Sequence, residues 1–137
     1  MSVVIDSSVT LAWCFADERT DAVDAVLTLV AESGAIVPSL WRLEVANALQ
    51  MAVRRKRIDS AFRDASLADL RALAIDIDTD TDQQAWTATL RLADRFNLTL
   101  YDAAYVELAQ RLGLPLATGD QEMRVAAEAL GLVLLGG

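Results

Sequence analysis

The chain alternates short, wholly apolar runs with longer stretches in which apolar residues recur at three- and four-residue spacing. Val3 to Ile5 is a brief β-branched run closed at once by Asp6, Ser7 and Ser8, as in a strand buried on both faces. Ile36–Val37, Leu116–Thr118 and Leu132–Leu135 read the same way, the first of them stopped by Pro38. Helical patterns fill the gaps. One runs from about Ser8 or Val9 to Phe15. Asp17 is the expected N-cap of the next, whose Ala22, Val23, Val26, Leu27 and Val30 share a stripe ending at Gly34. Ser39 is expected to cap a long helix carrying Trp41, Val45, Ala48, Leu49 and Ala52 and ending in the basic run Arg54 to Arg57.

Asp59 or Ser60 opens a helix through Phe62, Ser66, Leu67, Leu70 and Leu73. Ile75 and Ile77 then alternate with Asp76 and Asp78, the pattern of an exposed or edge strand. A helix from Asp80 or Thr81 is expected to continue through Ala85, Trp86, Thr89, Leu92 and Ala93 to Phe96. Thr99 caps another, with Tyr101, Ala104, Tyr105, Leu108 and Leu112 on its apolar face and Gly113 at its end. Gly119 and Asp120 turn the chain into a final helix reaching about Leu130. Short apolar strands alternating with helices predict an α/β fold: one three-layer α/β/α domain over residues 1–137 with a central, mainly parallel sheet.

Composition narrows the chemistry. Hydrophobic residues make up 54% of the 137, enough for a real core. Charges interrupt every apolar run, so no membrane span is expected, and MSVVIDSS lacks the basic start and apolar stretch of a signal peptide. Cys14 is alone, which excludes an internal disulfide and reads as a small buried apolar side chain. A cytoplasmic protein is expected.

The net charge is −8 and there is no histidine. That removes Ser–His and Cys–His nucleophiles and leaves little for zinc, which prefers nitrogen and sulfur ligands. Carboxylate chemistry remains, with or without a hard divalent cation. The acidic balance argues against a non-specific DNA coat protein, but not against a nuclease whose acidic centre is neutralised locally.

Four acids are placed by this pattern at one edge. Ligands of open parallel sheets bind outside the carboxyl ends of the strands. Asp6 follows the first strand directly, and Asp120 follows the Leu116 strand one glycine later. Glu44 lies early in the helix after Ile36–Val37, and Asp102 at the start of the helix leading into the Leu116 strand. Carboxylates brought together raise one another's pKa, and a divalent cation relieves that repulsion. An all-oxygen ligand set selects magnesium or manganese, ions that orient a phosphodiester, activate water and stabilise the leaving oxygen.

Each acid also has a bland reading. Asp6 and Asp120 serve as turn formers or N-caps, Asp102 favours a helix dipole, and Glu44 is a solvated helix residue. Glu122 reads as a solvated helix-start residue rather than a further acid of the site. Arg54 to Arg57 either track a nucleic-acid backbone or simply complement the C-terminal end of their helix, the simpler account. Trp13, Trp41 and Trp86 lie on apolar stripes and are expected in core or interface packing rather than in base stacking.

The opening VVIDSSV, the segment WRLEVANAL and the stretch LTLYDAAYVELAQRLGLPLATGD together resemble PIN-domain proteins, and more narrowly VapC-type toxins of toxin–antitoxin modules. The resemblance spans essentially the whole chain and rests most on YDAAY followed by LATGD. It implies that Asp6, Glu44, Asp102 and Asp120 take the family's acidic metal-binding positions. It further implies that Ser8 and Thr118 support the centre or bind water on the metal, and that Asn47 stands behind it. A magnesium- or manganese-dependent endoribonuclease follows from the resemblance, as do a homodimer and a cognate VapB-like antitoxin that covers the groove.

Rival readings are a PIN-fold interaction domain with little activity and a nuclease directed at DNA flaps or single strands. Two others fit poorly. A receiver domain needs a lysine after a late strand, and the only lysine here is Lys56. A haloacid-dehalogenase phosphatase needs an aspartate two positions after Asp6, where this chain has Ser8.

Overall fold

The computed structural model describes residues 2–137. Five short strands, β1 (Val3–Ile5), β2 (Ala35–Val37), β3 (Ile75–Ile77), β4 (Leu116–Ala117) and β5 (Leu134–Leu135), form one sheet in the order β3-β2-β1-β4-β5. Every pairing is parallel. Val3, Val4, Ile5, Leu116 and Ala117 have no exposed surface, so the central strands are apolar on both faces because helices cover both. β3 is one of the two edge strands, and its alternation of half-buried Ile75 and Ile77 with exposed Asp76 follows from that position.

Eight helices connect the strands: α1 (Ser7–Cys14), α2 (Asp21–Ser33), α3 (Trp41–Arg54), α4 (Ser60–Arg71), α5 (Thr81–Gln84), α6 (Ala88–Phe96), α7 (Leu100–Leu112) and α8 (Gln121–Ala129). α1, α2, α3 and α4 pack on one another, while α6, α7 and α8 form a second group in which α7 lies against β1 and β4. The result is the three-layer α/β/α architecture that the periodicity predicts.

Several starts and stops differ from those predictions. Asp17 does not cap α2. It sits in a 3₁₀ turn (Ala16–Glu18), and Thr20 caps the helix by accepting the Val23 N–H at 3.2 Å. Ser39 does not cap α3 either, since Leu40 is the helical N-cap residue and the Ser39 N–H is turned toward Thr81 Oγ1. The helix expected from Asp80 to Phe96 is broken between Gln84 and Ala88, which throws Trp86 out to 88% exposure rather than into a stripe. Trp13 and Trp41 are buried as expected, each with its indole N–H satisfied, by Val23 O and Thr10 Oγ1 respectively. Gly34 ends α2 at a φ of +78°, where a Cβ would also meet Ala74 O at 3.0 Å.

The chain leaves β1 toward β2 and β3 on one side of the sheet, and places β4 and β5 on the other. The direction of winding therefore reverses between β1 and β4, the place where open α/β sheets leave a crevice at their carboxyl edge. Asp6 follows β1 and Thr118 to Asp120 follow β4, so both borders of that crevice carry acid.

Candidate active site

Asp6 is buried at 3% exposure and caps α1 by accepting the Val9 N–H at 3.0 Å on Oδ1. Two hydroxyls also point at it. Thr118 Oγ1 donates to Oδ2 at 2.6 Å, and Ser8 Oγ donates to Oδ1 at 2.7 Å. Those hydroxyls in turn accept backbone N–H groups, one within the turn after β4 and one from across the crevice. Asp120 N donates to Thr118 Oγ1 at 3.0 Å, and Gly119 N donates to Ser8 Oγ at 3.1 Å. The end of β1 and the turn after β4 are thus stitched together through Asp6, and the aspartate has little freedom to turn away.

Asp120 caps α8, with Oδ1 accepting the Met123 N–H at 3.0 Å. Asp102 lies in the first turn of α7, where Thr99 Oγ1 accepts the Asp102 N–H at 3.1 Å. Glu44 lies in the first turn of α3, half-buried. The capping and dipole readings are correct for these positions, and they explain how each acid is placed rather than why four of them share one rim.

The electrostatics tie the four together. Burial pushes the Asp6 carboxyl above its ordinary value, and Asp120 adds to the rise against the lowering effect of Thr118, Val9 and Ser8. Glu44 is raised by burial and then by the charges of Asp102 and Asp6. Asp102 is raised by burial, then by Asp120 and Asp6, with a further push from Glu122. Among the described residues none of the four acids is in an ion pair. Nor do any three acidic side chains stand close enough to form a ready-made ligand set for a cation. The oxygen-only donor chemistry suits a hard divalent ion, and the mutual repulsion is what such an ion would relieve.

Of the residues expected to support the acids, Ser8 and Thr118 touch Asp6 as described. Asn47 is exposed on α3 and makes no hydrogen bond to the acids among the described residues. Glu122 is exposed at the start of α8. One partner was hidden in the apolar pattern: Tyr105, 1% exposed on α7, donates its phenol O–H to Glu44 Oε1. Burial, followed by the Glu44 contact, holds that phenol well above its ordinary value, so it stays a donor. Its place three residues after Asp102, on the same helical face, was the available signal.

The basic run sorts itself. Arg57 pairs with Asp17 and Glu18 at 2.9 Å each and lies over the Phe15 ring, which leaves Arg54, Arg55 and Lys56 as the cations of the run without an ion pair among the described residues. Two cavities of about 250 and 430 Å³ flank α4, and neither is lined by the four acids.

The PIN domain family model matches residues 3–129. The chain belongs to the PIN-domain family. Within it the chain stands with the VapC ribonucleases: ribonuclease VapC1 of Mycobacterium tuberculosis is 36% identical over 98 residues, 72% of this chain and 71% of the relative. Among solved structures, PAE2754 from Pyrobaculum aerophilum superposes with a TM-score of 0.71 at 26% identity, covering 98% of this chain and 83% of the other. VapBC2 from Rickettsia felis, solved bound to a DNA fragment from its promoter, shares the fold at a TM-score of 0.65 and 11% identity over 98% of this PIN domain and 97% of that chain. Among the described residues no helix is long and apolar enough to cross a membrane.

Proposed function

We propose that this PIN domain is a divalent-metal-dependent endoribonuclease that uses Asp6, Glu44, Asp102 and Asp120 to hold magnesium or manganese. It acts as the toxin of a VapBC-type module, working as a homodimer restrained by a VapB-like antitoxin. The observation that carries the reading is the meeting of four acids from β1, α3, α7 and the turn after β4, each within electrostatic reach of others and none neutralised by a cationic side chain. Family membership supplies the substrate class.

The bound ion would supply Lewis-acid polarisation of the scissile phosphate and an activated water at neutral pH. The rest is done by the chain. Thr118, Ser8 and the Val9 N–H fix the direction of Asp6. Asp120 spends Oδ1 on the α8 cap and keeps Oδ2 for the crevice. Asp102 lies in the first turn of α7, within reach of the charges of both Asp6 and Asp120. Glu44 keeps Oε2 free of hydrogen bonds among the described residues. No histidine is needed for this chemistry, because a bound ion would itself activate the water and would hold the four carboxyls ionised as its ligands.

The test is manganese-dependent cleavage of total cellular RNA by the purified protein beside Asp6→Ala and Asp102→Asn, with the cut ends mapped and matched DNA oligonucleotides run in parallel. Internal RNA cuts that need manganese and vanish in both variants are expected. Undiminished cutting by the variants would remove these acids from the site, and preferential cutting of DNA would replace the substrate class.

A further inference from the structure

Glu44 is the least constrained of the four acids by its own backbone. It is not an N-cap, it is only half-buried, and its side chain has three rotatable bonds. Asp102 and Asp6 both repel it. A glutamate in that situation gains by swinging out to solvent, away from its like-charged neighbours. One contact opposes the swing: the hydrogen bond from the Tyr105 phenol, 61 residues away in sequence, to Oε1. Tyr105 is itself held rigidly, fully enclosed on α7 beside Ser7 in the first turn of α1. Its helix carries Asp102 one turn earlier, and α1 begins at the Asp6 cap.

We infer that Tyr105 is the positioning residue of the site, holding Glu44 Oε1 so that Oε2 faces the other acids. The inference rests on the proposed metal-dependent reading and adds a specific division of labour to it. The phenol brings a neutral donor to one oxygen of a carboxylate whose other oxygen is the ligand, as groups behind a metal ligand commonly do. A buried phenol needs an acceptor in any case, and here the acceptor is an acid of the rim rather than a backbone carbonyl of the core. Phenylalanine would fill the same space.

The test is Tyr105→Phe, assayed for manganese binding by the loss of free Mn²⁺ electron paramagnetic resonance signal and for RNA cleavage across a manganese titration. Half-saturation is expected to move up by roughly 10- to 100-fold, the usual cost of removing a partner behind a metal ligand, with cleavage recovering at high manganese. In a Glu44→Gln background the same substitution should add little. A lowered melting temperature with unchanged half-saturation overturns the inference and makes Tyr105 purely structural. Equal shifts in both backgrounds overturn it too. Absence of manganese binding by the unaltered protein instead sinks the metal-dependent reading itself. If Tyr105→Phe does not fold, a crystal structure of the unaltered protein with manganese decides. Glu44 must reach the ion through Oε2 while Oε1 still accepts from Tyr105, and a Glu44 turned away from Tyr105 ends the idea.

Discussion

Two groups of carboxylates in this domain are held in opposite ways. Asp78, just past β3, and Glu107, on α7, are buried and share one guanidinium: Arg111 meets them at 2.7 and 2.8 Å. Thr81 adds a hydroxyl to Asp78 at 2.8 Å. Burial is the largest single influence on Asp78 and would raise it, yet the Arg111 and Thr81 contacts bring it below its ordinary value. At the rim Asp6, Glu44 and Asp102 are raised, and the charges acting on them are one another, Asp120 and Glu122. Residue types and burial overlap, but the signs differ. The first group carries its counter-ion on the chain. The second, on the proposed reading, leaves that place to an ion from solution.

The largest expected effect comes from breaking the rim. Asp102→Asn keeps the Thr99 cap, which accepts from the backbone, so the helix start survives. Single-turnover cleavage of an RNA oligonucleotide with manganese should fall by at least about 1,000-fold, roughly 4 kcal/mol on the barrier. The same variant, stripped of metal, should be more stable than the parent by about 1 kcal/mol in urea, because one of the mutually repelling charges is gone. A variant that retains a tenth of the rate, or is destabilised without metal, contradicts the contrast drawn above.

Breaking the compensated group should act on stability instead. Arg111→Ala leaves Asp78 and Glu107 enclosed without their cation, a change that typically costs about 3 kcal/mol or more. Urea unfolding measures it, and cleavage per folded molecule should stay near the parent value. A loss under about 1 kcal/mol would mean that water reaches these acids and that the buried ion pairs contribute little.

How far each group could be read from the sequence follows from the same physics. The rim acids were legible because each follows a strand or opens a helix, and topology alone sends those positions to one edge. Ser8 and Thr118 were legible as hydroxyls beside acids. Tyr105 was not, because an aromatic residue at helical spacing looks like core, and it is core everywhere except at its oxygen. The Arg111 group was also hidden. Asp78 reads as the polar phase of an edge strand, and nothing in that pattern says that Arg111 from α7 and the Thr81 hydroxyl meet it. The shift of the α2 cap from Asp17 to Thr20 is a local choice between equivalent polar residues, whereas the start of α3 at Leu40, without a side-chain cap, and the break at Gln84–Ala88 carry no capping signal in the sequence. Burial of Trp13 and exposure of Trp86 show the limit of periodicity: both lie on stripes in the sequence, but Trp86 falls in the break between α5 and α6 and leaves its stripe.

The smallest effect, and the most discriminating, is the pH dependence of the metal-free protein. Ordinary values are 3.8 for aspartate and 4.5 for glutamate. The folded values of Asp6, Glu44 and Asp102 lie above these, so the folded state holds protons that the unfolded chain has already released. Their contribution is fully present below the ordinary values and is lost as pH rises through the raised ones. Asp78 works the other way: its contribution is present above 3.8 and is lost as pH falls through its lowered value. Above the ordinary values Asp78 is therefore constant while the rim weakens, and urea unfolding without metal should show stability declining as pH rises through the raised values of the rim acids. Saturating manganese should reverse the slope, since it binds the deprotonated acids. Asp102→Asn should flatten the metal-free slope and Arg111→Ala should leave it unchanged. A metal-free protein whose stability climbs with pH, or whose slope ignores Asp102, would show that the rim acids do not strain the fold.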